Sequence, residues 1–346
     1  MSLEKRERPQ AALRTGFTLV EMVVVLGCSF ILLGLVFVAV QSARESARST
    51  QCANNLRNLA LGVESFVSSH GYFPDFVTRE SLGEASQLGQ SRYGRPGPMM
   101  LTLREALSNQ RIYGDLFASR GEFVCGMQDP PVETEPHPML LRCPSAGEGN
   151  AISYRFCTGN RPIQGVLSSL FADHILQLAG EKTMPFGINI RCFPRDIKDG
   201  MSHTSAISER TPGNGQKARN PGVLYGIRFP ITTDLNKLAR DWDLQCQGPS
   251  EIEPVMVYAG YGELPHAESY WQIYYCHYAT PNNPNRDCYS TLGQYNANFS
   301  ARSQHKGGVW VTYLDTSVRF QSNSVDLQVW RSQADIAGGE VDSEVH

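Results

Sequence analysis

His305 and Asp315 stand ten positions apart, with Ser303 and Ser317 beside them. A histidine and a carboxylate are the minimum for base catalysis, and a neighbouring serine would extend the pair to a hydrolase-like triad. No GxSxG nucleophile elbow accompanies them, and the other acids nearby have the setting of turn residues. The plainer reading puts His305 ahead of a tight Gly307-Gly308 approach and Asp315 at a hairpin tip. Oxygen ligands suited to Ca²⁺ exist at Asp196, Asp199 and Asp315, without EF-hand spacing. Nine cysteines occur; with Cys28 set aside inside an apolar run, eight remain, an even number compatible with disulfides. None has CxxC spacing, so zinc-ribbon and thioredoxin chemistry have little support. Cys276 and Cys288 flank the Pro/Asn-rich loop 279–285, which a local bridge would close. The remaining connectivity stays open, eight free buried thiols included.

One further ionisable group is conspicuous by its setting. Between Phe17 and Val40 every residue is uncharged except Glu21. A carboxylate in a membrane costs roughly 3 kcal/mol or more, so such groups usually have a partner and a task. Glu21 lies one helical turn from Phe17. Were the chain cut after Gly16, the new α-amino group of Phe17 would neutralise a Glu21, most simply that of a neighbouring subunit.

The elements that must carry these residues follow from periodicity. A helix over residues 17–40 would be about 36 Å long, enough to cross a bilayer. No small-x-small cleavage site follows it, as a secretory signal peptide would require. Beyond Val40, Cys52, Leu56, Leu59, Val63 and Phe66 recur at steps of four and three, the stripe of an amphipathic helix. No proline interrupts residues 17–70, and Gly71 followed by Pro74 marks the stop. Residues 72–98 read as loop and 126–138 as a proline-rich connection. A short helix is expected over 101–110, capped by Thr102 with Glu105, and helical periods recur at 164–178 and 232–242. Short strands are expected at 152–157, 187–193, 204–208, 222–229, 255–258, 270–278, 308–314 and 317–321. The fold class is therefore α+β, a long amino-terminal helix followed by a β-rich head. Tyr270, Trp271, Tyr274, Tyr275 and Tyr278 either fill a core strand against the helix or display rings for a glycan or protein.

Charge sets the orientation. The formal net charge is −3; the first sixteen residues carry +2, leaving −5 for the rest, which is no nucleic-acid-binding balance. Basic residues before the apolar segment and a large head after it imply a cytoplasmic amino terminus and an exported head.

Gly16-Phe-Thr-Leu-Val-Glu21 resembles the type III signal of type IV pilins and type II secretion pseudopilins. That resemblance implies a prepilin peptidase that cuts after Gly16 and methylates Phe17, and a helix that packs among other pilin-like subunits. Further patches resemble one pilin-like family, DUF1559, with its prepilin-type H-X9-DG domain. They are 40–48, 52–56, His70-Gly-Tyr-Phe-Pro74, Arg142-Cys-Pro-Ser145, 197–204 with Glu209, His305-Lys-Gly307-Gly308 leading to Asp315, and Val329-Trp-Arg331 with 338–340. The chain departs from the family's Asp-Gly at Asp315-Thr316. A two-residue type I′ turn needs positive φ, which β-branched threonine resists, so this hairpin is expected to turn otherwise. A missing glycine favours a structural role for the motif, or a degenerate copy of it.

The resemblance implies a leader (1–16), a transmembrane helix (17–40), its amphipathic extension (41–70) and a head (71–346). It further implies a single-pass inner-membrane protein with a periplasmic or surface head, a non-catalytic subunit of a type II secretion or type IV pilus-like system. The alternative is an anchored binding module that uses the same export route. Some pseudopilins hold Ca²⁺ in a head loop, which leaves calcium as the one cofactor open.

Overall fold

The computed structural model describes residues 18–74, 139–146, 153–160, 184–186, 191–211, 224–227, 256–258, 274–284, 287–290 and 297–337. Gly16, Phe17, the three shorter expected helices and the proline-rich connection lie outside these residues. Two compact units divide at Ala47 and Arg48.

Helix α1 (Leu19–His70) runs unbroken for 52 residues. Its start is a capping box. The Thr18 hydroxyl accepts from the Glu21 N–H at 3.3 Å, and a Glu21 carboxylate oxygen accepts from the Thr18 N–H and hydroxyl, both at 2.9 Å. From Leu19 to Val38 every large apolar side chain is more than half exposed. This stretch alone among the described residues is long and apolar enough to cross a membrane.

In the second unit the expected stripe is realised: Cys52, Leu56, Leu59, Val63 and Phe66 are buried, while Arg57 and Asn58 face outward. Gly71 ends the helix in the left-handed region, with φ of +80° and its N–H donating to the Val67 carbonyl.

Five strands, β1 (Tyr154–Cys157), β2 (Ser205–Glu209), β5 (Tyr274–Tyr275), β8 (Gly308–Tyr313) and β9 (Val318–Ser322), form one sheet in the order β5-β1-β2-β8-β9. Only the β1–β5 pair is parallel. A second sheet has the order β4-β3-β6-β7, from β3 (Leu224–Ile227), β4 (Met256–Tyr258), β6 (Asp287–Ser290) and β7 (Ala297–Asn298). The central strand β2 is buried throughout, whereas β9 is an edge with largely exposed side chains. Where the β2–β8 register shifts between Ser205 and Ile207, the Thr312 hydroxyl accepts from the Ile207 N–H and donates to its carbonyl. That side chain supplies the pairing the ladder loses.

Helix α2 (Leu327–Ser332) closes the described chain, with the Asp326 carboxylate capping the N–H groups of Gln328 and Val329. The core gathers the α1 stripe with Leu141, Phe156, Ile207, Val309, Val311 and Trp330.

Three expectations are corrected. Residues 191–193 are not strand; they lead into a 3-10 turn, Pro194–Asp196, in which the Asp196 carboxylate accepts from the Phe193 N–H. Of the expected strand 270–278, residues 270–273 lie outside the described ones; strand β5 ends at Tyr275, because the Cys276 and His277 amides leave the sheet for the carbonyls of Phe299 and Gly159. Strands β6 and β7 and helix α2 appear where no element was anticipated.

Candidate functional site

Four residues from four distant segments meet beside the second half of α1. Cys52 on the helix is disulfide-bonded to Cys143, which follows a 3-10 turn at Met139–Leu141. His305 Nε2 lies 3.6 Å from Cys143 Sγ and 3.1 Å from Glu209 Oε1 at the end of β2. That pair is a close polar contact without hydrogen-bond alignment, and Glu209 Oε1 accepts no hydrogen bond. The other Glu209 oxygen accepts from the Trp310 backbone N–H at 2.9 Å. The Trp310 indole N–H donates in turn to Ser49 Oγ on α1, at 2.9 Å. Around the disulfide, the Asn55 amide donates to the Arg142 carbonyl and to the Tyr154 hydroxyl, which itself donates to the Cys52 carbonyl. The helix is thus fastened covalently and by polar contacts to the loop before β1, to β1 and to β8.

This pairing corrects the bridge expected between Cys276 and Cys288. Cys276 is a free, fully buried thiol that donates to the Asn298 side chain. Burial pushes it up to about 11, so it stays protonated and unreactive.

His305 and Asp315 are not brought together. Strand β8, about 20 Å of extended chain, separates them. His305 lies in the cluster just described, whereas Asp315 sits in the β8–β9 connection. There the Asp315 carboxylate accepts from the Ser317 N–H at 3.0 Å and from its hydroxyl at 2.6 Å. The Tyr313 carbonyl accepts from the Thr316 N–H, and the Tyr313 N–H donates to the Ser317 carbonyl, both at 2.9 Å. These bonds define a three-residue loop ending in a left-handed residue, a bulged turn rather than type I′. Thr316 supplies that residue at φ of +66°. The turn is therefore other than type I′, as expected, although Thr316 itself takes positive φ because the paired strands hold it there.

Gly307 is also left-handed, at +88°. A Cβ on Gly308 would stand 2.1 Å from the Gln321 carbonyl oxygen and 2.7 Å from the Phe320 ring, so no larger residue fits against β9. The glycines and Asp315 thus shape the two ends of one hairpin. Asp196 and Asp315 each hold local amides, and among the described residues the grouping of possible metal ligands is Cys52, Cys143, Glu209 and His305. Asp196, Asp199 and Asp315 do not gather as a calcium set.

Two buried networks had no signal in the sequence. Asp287 on β6 accepts from Arg155 of β1 and from Arg302, each at 3.0 Å, which ties the two sheets together through charge. The Ser300 N–H adds a further donor. Burial holds the Arg155 guanidinium below its ordinary pKa, against the opposing pull of Asp287. Near the carboxy terminus, His277 stacks on Trp330 with ring centroids 3.5 Å apart. Its Nδ1–H donates to the Trp330 carbonyl, and Nε2 accepts from the Tyr275 hydroxyl. Burial pushes His277 down to about 3, partly opposed by the bond to Trp330. Tyr274 and Tyr275 are buried, so these rings of the aromatic cluster serve the core; Tyr270 and Trp271 lie outside the described residues.

Residues 41–328, most of the chain, match the family described as Protein of unknown function (DUF1559). The chain belongs to DUF1559. No curated protein matches it, and no solved structure does. The DUF1559 span begins at Gln41, just beyond the apolar stretch of α1, and contains all four members of the cluster. Sequence reasoning had each of the four within a separate patch but did not join them. Their presence in blocks of one family was the available clue; residues brought together by folding leave no local spacing to read.

Proposed function

We propose that the chain is a membrane-anchored, non-catalytic pilin- or pseudopilin-like subunit of a type II secretion or type IV pilus-like assembly. Prepilin peptidase would cut after Gly16 and methylate Phe17, leaving the helix single-pass in the inner membrane with an exported head. The observation that carries this reading is the bare apolar surface from Leu19 to Val38 with one carboxylate, Glu21, near its start. Such a surface requires lipid or other helices around it. In the uncleaved chain Glu21 caps its own helix through Thr18. The same carboxylate would be offered to the α-amine of a processed neighbour during assembly, and the capping bonds would hold its side chain at the helix start until then. Glu21→Ala is expected to leave cleavage intact while reducing the protein in sheared filaments at least tenfold, read by immunoblot of membrane and sheared fractions. Unchanged incorporation would overturn the assembly role, and absence of the unmodified protein from every filament fraction would favour an anchored binding module.

A further inference from the structure

Cys52, Cys143, Glu209 and His305 each present one ligand atom, and the four atoms lie within 4.8 Å of one another. All four residues are buried, at 0%, 5%, 1% and 6% exposure. Two sulfurs, an imidazole nitrogen and a carboxylate oxygen are donor types that zinc takes in tetrahedral sites. With Zn–S near 2.3 Å and Zn–N or Zn–O near 2.0–2.2 Å, the ligand atoms of such a site stand roughly 3.3–3.8 Å apart. His305 Nε2 is already 3.6 Å from Cys143 Sγ and 3.1 Å from Glu209 Oε1. The covalent link between the sulfurs is what distinguishes this cluster from a coordination shell.

A second observation concerns the pair beside the disulfide. A structural disulfide needs neither a histidine nor a glutamate, and burying an ionisable pair is costly. Here one Glu209 oxygen is held by the Trp310 N–H while the other faces His305 and the sulfurs. That arrangement orients a carboxylate as outer-shell bonds orient a metal ligand. The His305 backbone N–H donates to Ser303 Oγ, which steadies the loop bearing the imidazole.

We propose that these four side chains form a zinc site in the reduced chain, mutually exclusive with the Cys52–Cys143 disulfide. A dithiol reductant passes two electrons and two protons to the cysteine pair and leaves as its own disulfide. Each cysteine thiol then loses its proton as its sulfur bonds Zn²⁺, so two protons are released and two Zn–S bonds replace one S–S bond. Neutral His305 and ionised Glu209 complete the shell. The same segments are fastened together in both states, by a covalent bond in one and by the metal in the other.

The test uses the full chain in detergent, reduced with a dithiol, freed of reductant without oxygen and titrated with Co²⁺. One equivalent should bind, with thiolate-to-cobalt charge transfer and the visible bands of tetrahedral Co²⁺, and Zn²⁺ should displace it. The oxidised chain should give neither signal. His305→Ala and Glu209→Gln should each weaken binding at least tenfold. As a check that needs no variant, Zn²⁺ should slow alkylation of Cys52 and Cys143 in the reduced wild-type chain, mapped by peptide mass. Absence of stoichiometric binding, or unchanged alkylation at those two cysteines, would overturn the site.

Discussion

Thr316 holds a left-handed conformation in which its β-branched side chain is crowded. That conformation costs about 1–2 kcal/mol for a non-glycine residue. Thr316→Gly should therefore stabilise the protein by about 1 kcal/mol after the added chain entropy of glycine is subtracted. A shift in the denaturation midpoint, with unchanged slope, would show it; an unchanged or lowered midpoint would contradict the turn geometry. The sequence rightly argued against a type I′ turn, but the intrinsic preference of threonine did not show the two backbone bonds that pin it at positive φ. His277 is the second case at this scale. Its folded pKa of about 3 lies below the ordinary value of 6.5, so the folded state holds it neutral. Between those values only the unfolded chain takes up the proton, and stability falls as pH drops. The folding equilibrium constant should lose about tenfold per pH unit across that window through this group. Denaturation of the wild type and of His277→Gln at a series of pH values should show the wild-type slope exceeding the variant's. Parallel slopes would contradict a buried neutral imidazole.

Helix α1 and the hairpin of β8 and β9 were legible because their signals are local. A stripe at steps of four and three, an uninterrupted run and a terminal glycine mark the helix. A strand of two residues such as β7 carries too little pattern to be seen. The charged tie of Arg155, Asp287 and Arg302 was equally hidden, since its members are far apart in the chain. The disulfide belongs with these: its cysteines are 91 positions apart, whereas the expected bridge was chosen for proximity. By the loop-entropy relation, a closure of that length restrains the unfolded chain by about 4–5 kcal/mol. Cys52→Ser in the metal-free protein should lose stability of that order, measured as a fall in denaturant midpoint that reductant does not deepen. A loss below about 1 kcal/mol would show that the polar contacts of Asn55, Tyr154 and Trp310 suffice to fasten the helix.

Across the whole molecule, family membership and the burial pattern assign different duties to the two parts of α1. Residues from Cys52 onward belong to a protein core, while Leu19 to Val38 present apolar surface that the chain itself does not cover. The uniform exposure of that run is what one would ask of a segment that meets lipid and other helices. Composition alone showed its length and its single charge, but a buried soluble helix has similar composition; only the fold shows which half is covered. The His305–Asp315 motif takes the plainer of its two readings, its members standing at the two ends of a hairpin, and the fold adds that one of them is set against the disulfide. The reading of the chain as a processed pilin-like subunit meets its most direct test in the intact mass of the protein purified from membranes. The account predicts a chain beginning at Phe17, lighter by residues 1–16 and heavier by one methyl group. A mass matching the uncut chain, with its leader in place, would contradict it.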